Sequence, residues 1–190
     1  MKINGNSIRV GNVIEHKGNL WVAVKTQHTQ PGKGGAYLQV ELKNLRDGTK
    51  LNERFRSSES VERARLDEVP YQFLFSDGDL HTFMHPETFE QITLTSNIIG
   101  EESLKYLKEG IIFILSIYEE EVVSASPPET IVLQVVEADS VVKGQTASSS
   151  YKPSVLENNM RLMVPPHIAP GTKVIVRTED DTYLEKYKES

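Results

Sequence analysis

Short apolar-rich runs bounded by turn residues recur along the chain, some alternating apolar with polar positions, the signature of β-strands. Asn12-Val13-Ile14-Glu15-His16 leads through Lys17-Gly18-Asn19 into Leu20-Trp21-Val22-Ala23-Val24-Lys25, a hairpin with glycine in its turn. Ala36-Tyr37-Leu38-Gln39-Val40-Glu41-Leu42 alternates next, and Arg46-Asp47-Gly48 turns the chain into Lys50–Phe55. Four or five short strands at this spacing predict a small SH3-like barrel over residues 1–65.

A second unit, 66–128, opens on Tyr71–Phe75 and Leu80–Met84, joined by Ser76-Asp77-Gly78-Asp79 as a hairpin. A helix is predicted over Glu101–Lys108, with Leu104, Leu107 and Tyr106 toward the core and Gly110 as its stop. Ile111–Leu115 is expected as a buried strand and Val122-Val123 in another, and Pro127-Pro128 marks a boundary. The third unit, 129–190, begins with a strand at Thr130–Val136. A polar loop is expected over Lys143–Pro153, and strands at Arg161–Val164, Lys173–Arg177 and Thr182–Leu184. OB-type five-stranded barrels suit units two and three, although their sequences show no repeat. The predicted fold class is all-β: an SH3-like barrel followed by two OB-fold barrels.

Composition narrows the chemistry. The chain has 190 residues, 38% hydrophobic, and no cysteine, which excludes disulfide scaffolds, thiolate metal sites and cysteine catalysis together. The first residues lack the apolar core of a signal peptide, and Ile111–Leu115 is far too short to span a bilayer, so a cytoplasmic location without membrane association is expected. The net charge of -6 conceals an asymmetry. Residues 1–65 carry 12 Lys/Arg against 6 Asp/Glu, 66–128 carry 2 against 12, and 129–190 carry 7 against 9. A basic head on an acidic body suggests that the first unit meets phosphates.

The candidate chemistry centres on Pro31-Gly32-Lys33-Gly34-Gly35, between two predicted strands. Three glycines and a proline leave one long cationic side chain at a hairpin tip, and about four extended residues would carry that tip roughly 13 Å from the sheet. Gly-Lys-Gly-Gly also occurs at plain solvated turns, so the motif alone does not decide. It is not a phosphate-binding P-loop: Gly34 follows Lys33 where Ser or Thr is needed, and a strand follows instead of a helix. His81 and His85 would lie about 13 Å apart along a strand, too far for one metal ion, and read as structural or exposed. Asp77, Asp79, Glu87 and Glu90 lack the spacing of a calcium loop. No Gly-x-Ser-x-Gly elbow is present. Trp21 is expected in the core, whereas Tyr37 could stack on bases. Neither an enzyme, a metal nor a cofactor is indicated.

Pro31-Gly32-Lys33-Gly34-Gly35-Ala36 followed by Asn44-Leu45-Arg46-Asp47-Gly48-Thr49 resembles the first domain of the bacterial elongation factor P family. The likeness continues in Tyr71–Asp79 and Phe83–Gln91, and ends in Val142–Ala147, Val164-Pro165-Pro166 and Tyr183-Leu184-Glu185, covering all three units in order. The resemblance implies an SH3-like domain and two OB domains in an L that looks like tRNA. It implies a monomeric, non-catalytic factor that binds the ribosome beside P-site peptidyl-tRNA and relieves stalling at consecutive prolines. Lys33 would reach toward the peptidyl-transferase centre, extended in many relatives by a lysine-modifying enzyme; β-lysyl, aminopentanol-type and unmodified forms all suit a lysine here. Pro31, Gly32, Gly34 and Gly35 would form the tRNA-binding loop, with Gly144, Thr146 and Lys152 as further tRNA or ribosome contacts. The chain departs from the family pattern at Gln30, Gln39 and Gln145. The alternative is a generic single-stranded RNA-binding OB protein, which would bind free oligonucleotides tightly and with strong salt dependence.

Overall fold

Short alternating segments can bury an apolar face only by pairing, and here they pair into three antiparallel sheets. The computed structural model describes residues 1–140 and 150–190. The first sheet contains β1 (Lys2–Asn4), β2 (Val13–His16), β3 (Asn19–Thr29), β4 (Tyr37–Asn44), β5 (Lys50–Arg56) and β6 (Ser60–Arg63), in the order β1-β6-β2-β3-β4-β5. Ile8, Ile14, Trp21, Leu38, Val40, Leu42 and Phe55 form its core. Full burial of side chains of this size is worth about 1.5–3 kcal/mol each. Trp21 is in the core as expected, its indole N–H donating to the His16 carbonyl at 2.8 Å. Six strands replace the expected four or five, because β1 and β6 are too short to display a period. The second arm of the first hairpin also runs past Lys25 to Thr29.

The second sheet contains β7 (Asp67–Asp77), β8 (Leu80–Met84), β9 (Gln91–Thr95), β10 (Ile112–Tyr118) and β11 (Glu121–Ser126), in the order β11-β10-β7-β8-β9. The predicted β7–β8 hairpin is present, with Asp77 opposite Leu80 across a two-residue turn. The predicted helix over Glu101–Lys108 is corrected to two single turns, α1 (Ser96–Ile99) and α2 (Glu101–Leu104). Gly100 between them has φ of 82°, outside the helical region, which breaks the segment. Tyr106 still reaches the core, 1% exposed. The Ile111–Leu115 run is also corrected: it alternates, with Phe113 and Leu115 fully buried and Ile112 exposed. An antiparallel strand with one solvated face needs only alternate apolar residues.

The third sheet contains β12 (Thr130–Ala138), β13 (Lys152–Leu156), β14 (Arg161–Val164), β15 (Lys173–Arg177) and β16 (Thr182–Lys186), in the order β14-β13-β12-β15-β16. Lys152 and Pro153, read as the end of a loop, belong instead to β13. Pro153 is tolerated because it faces Met163 of β14 and lies beyond the last β12 pair, Ala138 with Ser154, so that side demands no N–H from it. The rest of the expected loop lies largely outside the described residues.

Barrels two and three share one topology. In each, the first strand is central, flanked by the second and fourth, with the third and fifth outermost. α1 and α2 bridge the third and fourth strands of the second barrel. In the third barrel residues 165–172 take that place and bury Ile168. The two barrels also share one continuous apolar cluster, from Tyr71 and Phe113 to Leu133 and Val176. Across their junction Asp181 accepts hydrogen bonds from Tyr106 and Lys105, and Asn158 donates to the Lys105 carbonyl at 2.8 Å. The first barrel keeps a separate core and meets the second through exposed polar contacts: Arg46 with Glu121 at 2.7 Å, and the Tyr118 hydroxyl donating to Glu15. Asn44, buried and accepting from the Arg46 amide at 2.8 Å, shapes the turn that presents Arg46 to that junction.

Candidate functional site

β3 and β4 pair as far as Thr29 with Tyr37, leaving the seven-residue connection 30–36 beyond the sheet. Leu38 and Phe55, both buried and directly opposite each other, seat this stem in the core. The Ala36 carbonyl accepts from the Ser57 amide at 3.2 Å and the Ser57 hydroxyl at 2.8 Å, tying the returning limb of the loop to the end of β5. The base of the connection is therefore fixed while its apex, Pro31 to Gly35, is exposed throughout.

Lys33 is exposed at that apex, and none of the ion pairs among the described residues includes it. Gly34 has φ of 115°, which strains any residue with a Cβ. Gly32 and Gly35 are different: a Cβ built on either meets nothing within 4 Å. The chain's own packing therefore does not require glycine at those two positions. Small residues that the fold leaves unconstrained on both sides of a lysine suit the close approach of another molecule's surface.

The outward face below the loop is cationic and polar. Strand parity places Lys25 and Gln27 of β3, Tyr37 and Gln39 of β4, and Arg54 and Arg56 of β5 on it. Arg54 stacks over the Tyr37 ring, 4.2 Å from its centroid. One face of Tyr37 is thus occupied, and a base would have to stack on the other. Arg54 and Arg56 escaped the sequence reading; the signal was the alternation Asn52, Arg54, Arg56 opposite the inward Leu51 and Phe55.

Of the remaining site candidates, only Lys152 lies among the described residues, in the third barrel. Gly144, Gln145 and Thr146 lie outside the described residues. Lys152 is in β13 of the third barrel, its ammonium donating to the Asp139 carbonyl at 2.7 Å. His81 is buried and bridges two hydroxyls, Ser76 at 2.6 Å and Ser96 at 2.7 Å, while His85 Nδ1 accepts from the Glu87 and Thr88 amides. Both are structural histidines in this arrangement. Among the described residues, no group of three or more His, Asp or Glu converges as metal ligands, and no helix is long and apolar enough to cross a membrane.

Comparison with known proteins matches each sheet to a family description. Residues 4–61 match the elongation factor P KOW-like domain, 66–125 the elongation factor P OB domain, and 131–186 the elongation factor P C-terminal domain. Elongation factor P from Zymomonas mobilis is 54% identical over 98% of this chain and 99% of its own length. That from a Chelativorans species is 55% identical over the same shares. Among solved structures, eukaryotic translation initiation factor 5A from Methanococcus jannaschii superposes with a TM-score of 0.53 at 24% identity, over 66% of this chain and 93% of that one. At that identity the likeness shows shared fold alone. These relatives are translation factors by name, not enzymes. Three matched domains in order, and relatives aligned end to end at more than half identity, show that this chain belongs to the elongation factor P family of translation elongation factors.

Proposed function

We propose that this elongation factor binds the ribosome beside P-site peptidyl-tRNA and uses Lys33 to promote peptide-bond formation where synthesis stalls on consecutive prolines. The observation that carries this reading is an exposed lysine held between glycines on a stem anchored in the basic first barrel. A proline nitrogen sits in a ring that fixes φ, and the residue before proline is restricted as well, so a proline-ended chain has few conformations suited to attack. Orienting the tRNA end supplies proximity, and each ~1.4 kcal/mol removed from the barrier gives about tenfold in rate. The basic outward face of Lys25, Arg54 and Arg56 supports contact with phosphates along the tRNA. A covalent extension of Lys33 by a lysine-modifying enzyme would lengthen its reach, and the exposed apex leaves the ammonium accessible to such an enzyme.

The test is a reconstituted translation system reading a Pro-Pro-Pro message. Lys33→Ala should leave the thermal melt unchanged and abolish relief of the stall; full relief by that variant defeats the reading. Peptide mass spectrometry of protein purified from its own host checks for an adduct on Lys33.

A further inference from the structure

OB barrels hold oligonucleotides and oligosaccharides on the face of their second and third strands. In the second barrel those strands are β8 and β9. His81 and Phe83 point into the core, so the alternate row, Leu80, Thr82 and Met84, faces outward. Phe75 of β7 pairs with Thr82, and Thr82 pairs with Thr93 of β9. Phe75 is 56% and Leu80 49% exposed, whereas Thr82 beside them is only 9% exposed. The result is a small apolar strip on a sheet face.

Its charge is wrong for nucleic acid. From Leu66 to Leu104 the chain has eight carboxylates and not one lysine or arginine. Two of them lie beside Leu80: Asp77, which pairs with it at the end of β7, and Asp79 in the β7–β8 turn. In the third barrel β14, the counterpart of β9, carries Arg161 alongside exposed Met163. The shared topology therefore places an arginine on this outer strand in the third barrel, whereas β7, β8 and β9 of the second carry no lysine or arginine. A polyanion would be repelled from β8 and β9, whereas a polycation would be attracted.

We infer that the outward face of β7, β8 and β9 docks an extended, lysine- and arginine-rich protein segment, with alternate apolar side chains on Phe75 and Leu80 and cations toward Asp77 and Asp79. An extended segment suits the strip because residues on one side of a strand recur about every 6.7 Å, the repeat of Leu80, Thr82 and Met84. The surface is distinct from the Lys33 arm, which belongs to the first barrel.

The probe is a fluorescein-labelled ten-residue peptide alternating leucine and lysine, titrated with the full-length protein at physiological salt. Binding should weaken at least tenfold in Phe75→Ser/Leu80→Ser, and Asp77→Asn/Asp79→Asn should weaken it and flatten its salt dependence. Hydrogen exchange should slow at β8 and β9. Phe75→Gln alone serves as a milder variant, and unchanged melting curves establish that the variants fold. Equal affinity in the Phe75 variants, or protection centred on Glu119–Glu121 instead, overturns the proposal. So does binding of a twelve-nucleotide single-stranded RNA to this face, or a wild-type dimer that Phe75→Ser dissociates.

Discussion

Arg54 lies over the ring of Tyr37, 4.2 Å from its centroid, at the foot of the loop that carries Lys33. The two are diagonal neighbours across β4 and β5, since Tyr37 itself pairs with Arg56 and Arg54 with Gln39. A cation over an aromatic face at an accessible site is worth about 0.5–1 kcal/mol. Tyr37→Ala should therefore cost about 1 kcal/mol in urea denaturation. It should also reduce relief of a Pro-Pro-Pro stall with Lys33 intact, because the stem of the arm loosens. Arg54→Lys should fall between wild type and Tyr37→Ala on both measures.

The glycines separate folding from function. Gly32→Ala and Gly35→Ala should each shift stability by less than about 0.5 kcal/mol, since the added methyl meets open space. Either should slow translation through consecutive prolines where a partner approaches the loop closely. Gly5→Ala should do the opposite: its Cβ would collide with the Arg56 carbonyl oxygen, so stability should fall by about 1–3 kcal/mol. A series of denaturation curves beside the translation assay checks all three.

The joint between barrels two and three should fail in alkali. Burial, then the hydrogen bond to Asp181, raises the Tyr106 pKa above its ordinary value. Burial opposes ionised Lys105, but its bond and charge pairing with Asp181, aided by Glu102, outweigh that and raise its pKa too. A raised folded-state pKa means that the folded protein holds protons the unfolded chain releases. The associated stability is complete below about pH 10 and declines as pH rises beyond it. Tyr106→Phe should flatten this alkaline decline and lower stability at neutral pH by about 1–3 kcal/mol, because Asp181 loses a buried partner. Urea midpoints at pH 7 and above pH 10 give both numbers.

At the junction of the first and second barrels, the hydrogen bond to Glu15 is the leading cause that pushes the Tyr118 pKa up to about 12. Subtracting the ultraviolet titration of Tyr118→Phe from that of wild type should isolate one late-ionising tyrosine, distinct from Tyr106, and Glu15→Gln should bring that step back toward pH 10.

Phe89 has φ of 60° and is 67% exposed, a costly backbone conformation for a bulky side chain with little packing in return. Phe89→Gly should leave the melting temperature unchanged or raised, by up to about 1 kcal/mol of added stability. A clear loss of stability would show that the ring packs more than its exposure indicates.

The β7–β8 hairpin was legible because it is local: two aromatic-rich runs, Tyr71–Phe75 and Leu80–Met84, flank an Asp77-Gly78 turn signal. The Lys33 loop was legible for the same reason. β13 was missed because Pro153 argues against a strand until one sees that Ala138 pairs first with Ser154. Arg54 and Arg56 went unnoticed because their meaning depends on Tyr37 and Lys25 in neighbouring strands, not on anything adjacent in sequence.

By itself the sequence determined what short-range physics governs: strand periodicity, turns at glycine and proline, a lone cation at a hairpin tip, and a basic head on an acidic body. Tertiary structure alone decided what distant residues do together. It gave two barrels one topology without a shared sequence, since pairing order needs alternation but not identity. It also fused those two through Asp181, Tyr106 and a common core, and left the first barrel joined by solvent-exposed polar contacts.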